Sequence, residues 1–197
     1  MDIGAAVLEL GSVDLPFDAR QVFGGLRPIE VELGVGKGRF LLEWAAMHPE
    51  VGLIGVERAR KYLEFAALRA ARGGLGNVRL VHTTAEDLLF RCLAPGTVAA
   101  AHVYFPDPWP KRRHRKRRFF RPENVARLAE VLEPGGLLRI KTDHSGYAAV
   151  IADVVAGERR LAPVTADEAF GEIPATHFEI KYAREARPVH RLAYRRI

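Results

Sequence analysis

Ile29-Glu-Val-Glu-Leu-Gly-Val-Gly-Lys-Gly-Arg-Phe-Leu-Leu-Glu-Trp-Ala45 decides the fold. Ile29 to Leu33 is a short β-leaning run, glycines follow at 34, 36 and 38, and Phe40, Leu41, Trp44 and Ala45 recur at helical spacing. Strand, glycine turn and helix in that order open a β-α unit. The pattern repeats outward. Val51 to Val56 is apolar and short, and a helix over about 59–71 stops at Gly73-Gly74. Val78 to His82 is a third strand, Ala85 to Cys92 a short helix, and Val98 to Phe105 a fourth strand apolar enough to be buried on both faces. Pro122 sits at a first helical position, with Val125, Leu128, Ala129 and Leu132 on one face. Glu133-Pro-Gly-Gly136 turns that helix into strand Leu137 to Thr142, a helix carries Tyr147, Val150, Ile151 and Val154, and Pro188 to Ile197 alternates as a final strand. Repeated β-α units predict an α/β fold as one domain over 1–197, its mostly parallel sheet covered by helices on both faces. In such sheets ligands bind beyond the carboxyl ends of the strands, so chemistry is sought there.

Composition narrows the class. The 197 residues are 48% hydrophobic and 27% charged, as in a soluble globular chain. A single cysteine excludes a disulfide framework and fits a reducing cytoplasm. No apolar run approaches a membrane span, and Met1-Asp2-Ile3 begins with an acid, unlike a signal peptide. The net charge of +6 is unevenly placed. Lys111 to Arg118 reads KRRHRKRR and holds seven of the 30 basic residues, against 23 basic and 24 acidic residues elsewhere. Ile180 to Ile197 adds six basic residues and one acid. An acidic body with a basic run and tail suggests a polyanionic partner.

Four strand ends carry candidate chemistry. Glu32-Leu-Gly34-Val-Gly36-Lys-Gly38 lets backbone approach a ligand closely, although a glycine turn alone is equally a structural device. Glu57 ends the second strand, where a carboxylate can accept both hydroxyls of a ribose or pair with Arg58 or Arg60. Phe105-Pro-Asp107-Pro-Trp109-Pro110 ends the fourth. Alternate prolines predict a stiff ridge with Phe105, Asp107 and Trp109 extended, holding Asp107 at the mouth of the sheet. Trp109 offers a flat face to a base or a cation. The ridge runs directly into the basic octapeptide, whose cations suit nucleic-acid phosphates. Asp143 ends the fifth strand after Lys141-Thr142. Thr176-His-Phe-Glu179 has the spacing of a helix capping box, which by spacing alone outweighs a ligand contact. The seven histidines show no metal-ligand spacing, so no metal is predicted.

These residues together resemble the bacterial tRNA (guanine-N7-)-methyltransferase family. The acid-glycine turn, Glu57 and the Pro134-Gly135-Gly136 passage resemble S-adenosylmethionine-dependent Rossmann-like methyltransferases generally. Phe105-Pro-Asp-Pro-Trp-Pro-Lys111 with the following basic run is far more specific, and Lys141-Thr-Asp143 and Thr176-x-Phe-Glu179 match in order. The resemblance implies the methyltransferase fold, S-adenosyl-L-methionine as cofactor, and transfer of a methyl group to N7 of the guanine at position forty-six in the variable loop of tRNA. It implies cofactor binding by Glu32, Gly34, Gly36, Glu57 and Asp107, with Asp107 also catalytic. Where the family has an acid near the adenine, this chain has Thr84, with Glu86 two residues on. Lys111, Asp143, Thr176, His177, Phe178 and Glu179 are implied to bind substrate, and Arg113, His114, Arg115, Lys116, Arg117 and Arg118 to contact RNA. A same-fold methyltransferase acting on another RNA, and a non-catalytic RNA-binding module, are the competing readings; nothing in the sequence sets the oligomeric state.

Overall fold

The computed structural model describes residues 4–25 and 28–197, so Met1-Asp2-Ile3 lie outside the described residues. Seven strands form one sheet: β1 Ile29–Leu33, β2 Gly52–Val56, β3 Val78–Val81, β4 Val98–Tyr104, β5 Leu132–Thr142, β6 Leu161–Val164 and β7 His190–Arg196. Their order is β3-β2-β1-β4-β5-β7-β6. The pairs among β1 to β5 are parallel, and β7 runs antiparallel to both its neighbours. The strand order reverses between β1 and β4, which makes the carboxyl ends of these two strands the expected ligand crevice.

The helices are α1 Arg39–Met47, α2 Arg60–Arg72, α3 Ala85–Asp87, α4 Pro122–Val131, α5 Ser145–Ala156, α6 Ala166–Phe170 and α7 His177–Arg184. A π turn extends α3 over Leu88–Cys92, and a 3-10 helix covers Arg112–Arg117. Apolar periodicity translates directly into packing. Val125, Leu128 and Ala129 of α4 are fully buried in a cluster with Val31, Val103, Ile140 and Tyr147. A second cluster packs Leu41 and Ala45 of α1 and Ala66 and Ala70 of α2 against Leu53 and Leu80.

Gly38 shows why a glycine is needed at the entry to α1. It has φ +72, and a Cβ there would lie 2.8 Å from the Cβ of Ala66. Two elements depart from the sequence reading. β5 starts at Leu132 rather than Leu137, because Leu132 already pairs with Val98; Glu133–Gly136 loop out before pairing resumes at Ala100 with Leu137. β6 had no sequence signal: it is four residues long, contains Pro163 and lies at the sheet edge, where a missing backbone donor is tolerated. None of the described helices is long and apolar enough to cross a membrane.

Candidate active site

β1 places two acids on one face. Glu30 and Glu32 are both buried, and successive alternate residues of a strand point the same way. Glu30 has three partners on its Oε2: Trp44 Nε1 donates at 2.8 Å, His102 Nε2 lies at 2.7 Å and the Arg139 guanidinium at 3.6 Å. Burial pushes its pKa up, but these partners prevail and hold it at about 2. Glu32 has the opposite balance. The Leu41 backbone donates to it, yet its Oε2 is buried without a hydrogen-bond partner, and burial pushes its pKa up to about 8. A half-satisfied buried carboxyl at a strand end is a strong pointer to a ligand.

Glu32 lines a hollow of about 390 Å³ at the switch point. Gly34, Gly36, Phe40, Tyr104 and Phe105 share its wall with the amino end of α7. Gly34 and Gly36 have φ +89 and +53, and the space where a Cβ would point is open at both. Glu57 ties this turn to the next: its Oε2 accepts from Gly36 N at 2.9 Å and its Oε1 from Ala59 N at 2.8 Å. Each oxygen keeps a lone pair for a further donor. Thr84 caps α3, its hydroxyl accepting from Asp87 N at 3.1 Å, while its O–H remains able to donate.

The ridge differs from the expected extended strip. Phe105 and Trp109 have φ +52 and +41, left-handed conformations uncommon for bulky residues. Proline disfavours the right-handed helical region for the residue before it, and both Phe105 and Trp109 precede a proline. Phe105 N donates to Lys141 O at 2.7 Å, and the ring lies 5.4 Å from Phe178 and 5.5 Å from Tyr182. These contacts offset backbone strain of about 1–3 kcal/mol per residue. Asp107 is exposed at the ridge crest and makes no hydrogen bond or ion pair among the described residues. The Trp109 ring is taken by the chain's own side chains: the Arg117 guanidinium lies 5.0 Å over it and His114 packs edge-on at 5.7 Å.

The basic run divides. Lys111, Arg112, Arg113, Arg115, Lys116 and Arg117 are exposed and none makes an ion pair among the described residues. Arg118 departs from the RNA-facing expectation. It is buried, donates from Nε to Pro108 O at 2.8 Å and stacks 4.9 Å over Tyr147, so it fastens the ridge to α5. The sequence signal was its position: the last cation before Phe119-Phe120, which turn inward.

At the other wall, Thr176 and Glu179 form the predicted capping box. Glu179 also accepts from Lys141 Nζ at 2.9 Å, and Lys141 is fully buried. Burial pushes the Glu179 carboxyl up, but Thr176 and Lys141 hold it below the usual range; burial lowers Lys141. The side chains of Thr176 and Glu179 are thus committed to structure, while exposed His177 and Phe178 face the hollow. Asp143 accepts from Arg187 at 2.7 Å. The hollow therefore gathers Glu32, Gly34, Gly36, Thr176, His177 and Phe178; Glu57, Thr84, Asp107, Lys111, Asp143 and Glu179 are not part of its wall. Tyr104, Phe40 and Lys141 have roles that sequence reasoning missed. Among the described residues no group of three or more His, Cys, Asp or Glu side chains is arranged for a metal.

A family model described as "Putative methyltransferase" matches residues 26–192. A tRNA (guanine-N(7)-)-methyltransferase of Mycobacterium avium is 42% identical over 169 residues, covering 84% of this chain and 65% of that protein. One of Alkalilimnicola ehrlichii is 36% identical over 192 residues, covering 96% of this chain and 81% of that protein. This chain thus spans slightly under two thirds of the mycobacterial relative's length. The crystal structure of the aminoglycoside resistance methyltransferase NpmB1 superposes with a TM-score of 0.61 at 21% identity, covering 90% of this chain and 93% of that one, which speaks to fold alone. With a Rossmann-like methyltransferase fold and this similarity along most of its length, the chain belongs to the tRNA (guanine-N(7)-)-methyltransferase family.

Proposed function

We propose that this protein transfers a methyl group from S-adenosyl-L-methionine to N7 of guanine in tRNA, at position forty-six of the variable loop. The carrying observation is a juxtaposition: a half-partnered buried carboxyl on the floor of a glycine-lined hollow, walled by a ridge that continues into six unpaired cations.

The residues fit the cofactor. Gly34 and Gly36 leave open a cradle that side chains would fill, and Glu32 Oε2 lacks a donor that a cationic ligand group supplies. Glu57 keeps acceptor capacity for ribose hydroxyls and Thr84 an O–H for the adenine edge. When bound, the cofactor supplies an electrophilic methyl group on a sulfonium.

The chain's own task is then positioning and electrostatics. Guanine N7 already carries a lone pair and no proton, so a new N–C bond would form as the S–C bond breaks, its electron pair staying on sulfur as a neutral thioether, without a general base. The product base is cationic, and Asp107, exposed and uncommitted, stabilises that developing charge. Phe178 and Phe105 offer aromatic surface to the base, and Asp143, steadied by Arg187, faces its donor edge. Lys111 and the 112–117 helix hold the phosphates. The protein acts in the cytoplasm on this reading, where tRNA is.

Incubation with labelled cofactor and unmodified tRNA, followed by nucleoside analysis, is expected to give 7-methylguanosine. Asp107→Ala is expected to keep tRNA binding and lose about 100- to 1,000-fold in turnover. Label in any other nucleoside overturns the N7 reading, and near-normal turnover of the variant removes Asp107 from the chemistry.

A further inference from the structure

A second hollow of about 390 Å³ is lined by Arg39, His177, Ile180, Lys181, Arg184 and Glu185. It shares Arg39, His177 and Lys181 with the hollow over Glu32, so the two adjoin. None of its lining residues belongs to the ridge or the 112–117 helix. On α7, residues 177, 181 and 184 fall on one face at helical spacing, a strip about 10 Å long. Its cations are poorly spent within the protein. Exposed Arg184 makes no ion pair among the described residues. Lys181 reaches Glu185 only at 3.8 Å, and Glu185 is also 3.9 Å from Arg187. Arg39 pairs with Glu43 at 2.9 Å, yet its Nε is buried without a partner.

We propose that this face of α7, with Arg39, is a second phosphate-binding track for the RNA, distinct from the 112–117 helix and adjoining the cofactor hollow on the α7 side. The inference rests on the tRNA reading above. The alternative anion, a single carboxylate of a small ligand, needs one cation; a strip of cations spread along two helical turns matches successive backbone phosphates. Arg184 and Lys181 are exposed, so their charge also reaches a ligand too large to enter either hollow. His177 adds a ring N–H donor at the junction of the two hollows.

The test is the salt dependence of tRNA binding by the full chain. Each phosphate contact contributes about 0.7–0.9 to the slope of log affinity against log salt. Arg184→Ser is expected to lower the slope by about one and Lys181→Ser/Arg184→Ser by about two, whereas Arg184→Lys keeps it. Calorimetric affinity of Arg184→Ser for the cofactor is expected to match wild type. Slopes equal to wild type in both serine variants, while Arg113→Ser/Arg115→Ser lowers its own, overturn this track and leave the tRNA reading standing. Lost cofactor affinity with an unchanged slope also overturns it. Wild-type protein that shows no salt-dependent tRNA affinity overturns the tRNA reading and the track together.

Discussion

Glu30 and Glu32 are two residues apart on one strand face, and their surroundings give them opposite electrostatics. Glu30 is held ionised by His102, Arg139 and Trp44, whereas burial prevails at Glu32 and raises its pKa to about 8. A carboxyl raised in the folded state stabilises the fold below its unfolded value near 4.5 and loses that contribution as pH rises through about 8. Glu32→Gln is therefore expected to gain stability relative to wild type as pH rises from 5 to 9, by a few kcal/mol, and to lose cofactor affinity. Thermal melts across that range check it, and parallel curves for the two proteins contradict it. At this scale the sequence was legible only where a residue's meaning is local. Glu32 and Glu57 stand at strand ends beside glycines, and Asp107 between prolines. Lys141 and Tyr104 looked like ordinary strand residues, because their partners are remote: Lys141 meets Glu179, 38 positions away. Arg118 could not be told from its six neighbours by charge, since only the packing of Phe120 and Tyr147 turns it inward.

At the scale of elements, α7 is joined to the sheet through one buried ion pair. Lys141 Nζ sits 2.9 Å from Glu179 and 4.7 Å from the centre of the Tyr104 ring, so a single side chain of β5 joins the α7 cap to the hollow's wall. Removing Lys141 strips Glu179 of its buried counter-charge and leaves it only the exposed Arg191 at 3.4 Å. Lys141→Ala is expected to cost about 3–5 kcal/mol in urea unfolding. A loss below about 1 kcal/mol contradicts this view of how α7 is held. The capping box was readable from Thr176 and Glu179, because capping needs only a three-residue spacing. The pairing of its acid with β5 was not. The ridge shows the same limit: its rigidity was legible in three prolines, but the left-handed turn at Phe105 packs on Lys141, Phe178 and Tyr182, which no local pattern reveals.

Across the whole molecule, the net charge of +6 resolves into two uses. Much of the basic tail is spent internally. Arg187 pairs with Asp143, Arg191 with Glu179 and Arg195 with Glu168, while Arg196 donates to Leu132 O. The exposed cations of 111–117 and the α7 strip are left for a partner. Counting basic residues in the sequence found both regions but could not separate paired charge from free charge, which depends on strand β7 lying antiparallel along β5. The β-α order itself was legible from periodicity and glycine stops, and it set the location of the hollow through the reversal between β1 and β4. On the proposed function, this architecture brings one tRNA guanine N7 to the methyl donor. Two tRNA transcripts that differ only at position forty-six, guanine in one and adenine in the other, test it most directly with labelled cofactor. Stoichiometric label on N7 of the first transcript and none on the second are expected; equal label on both rules out methylation at that guanine.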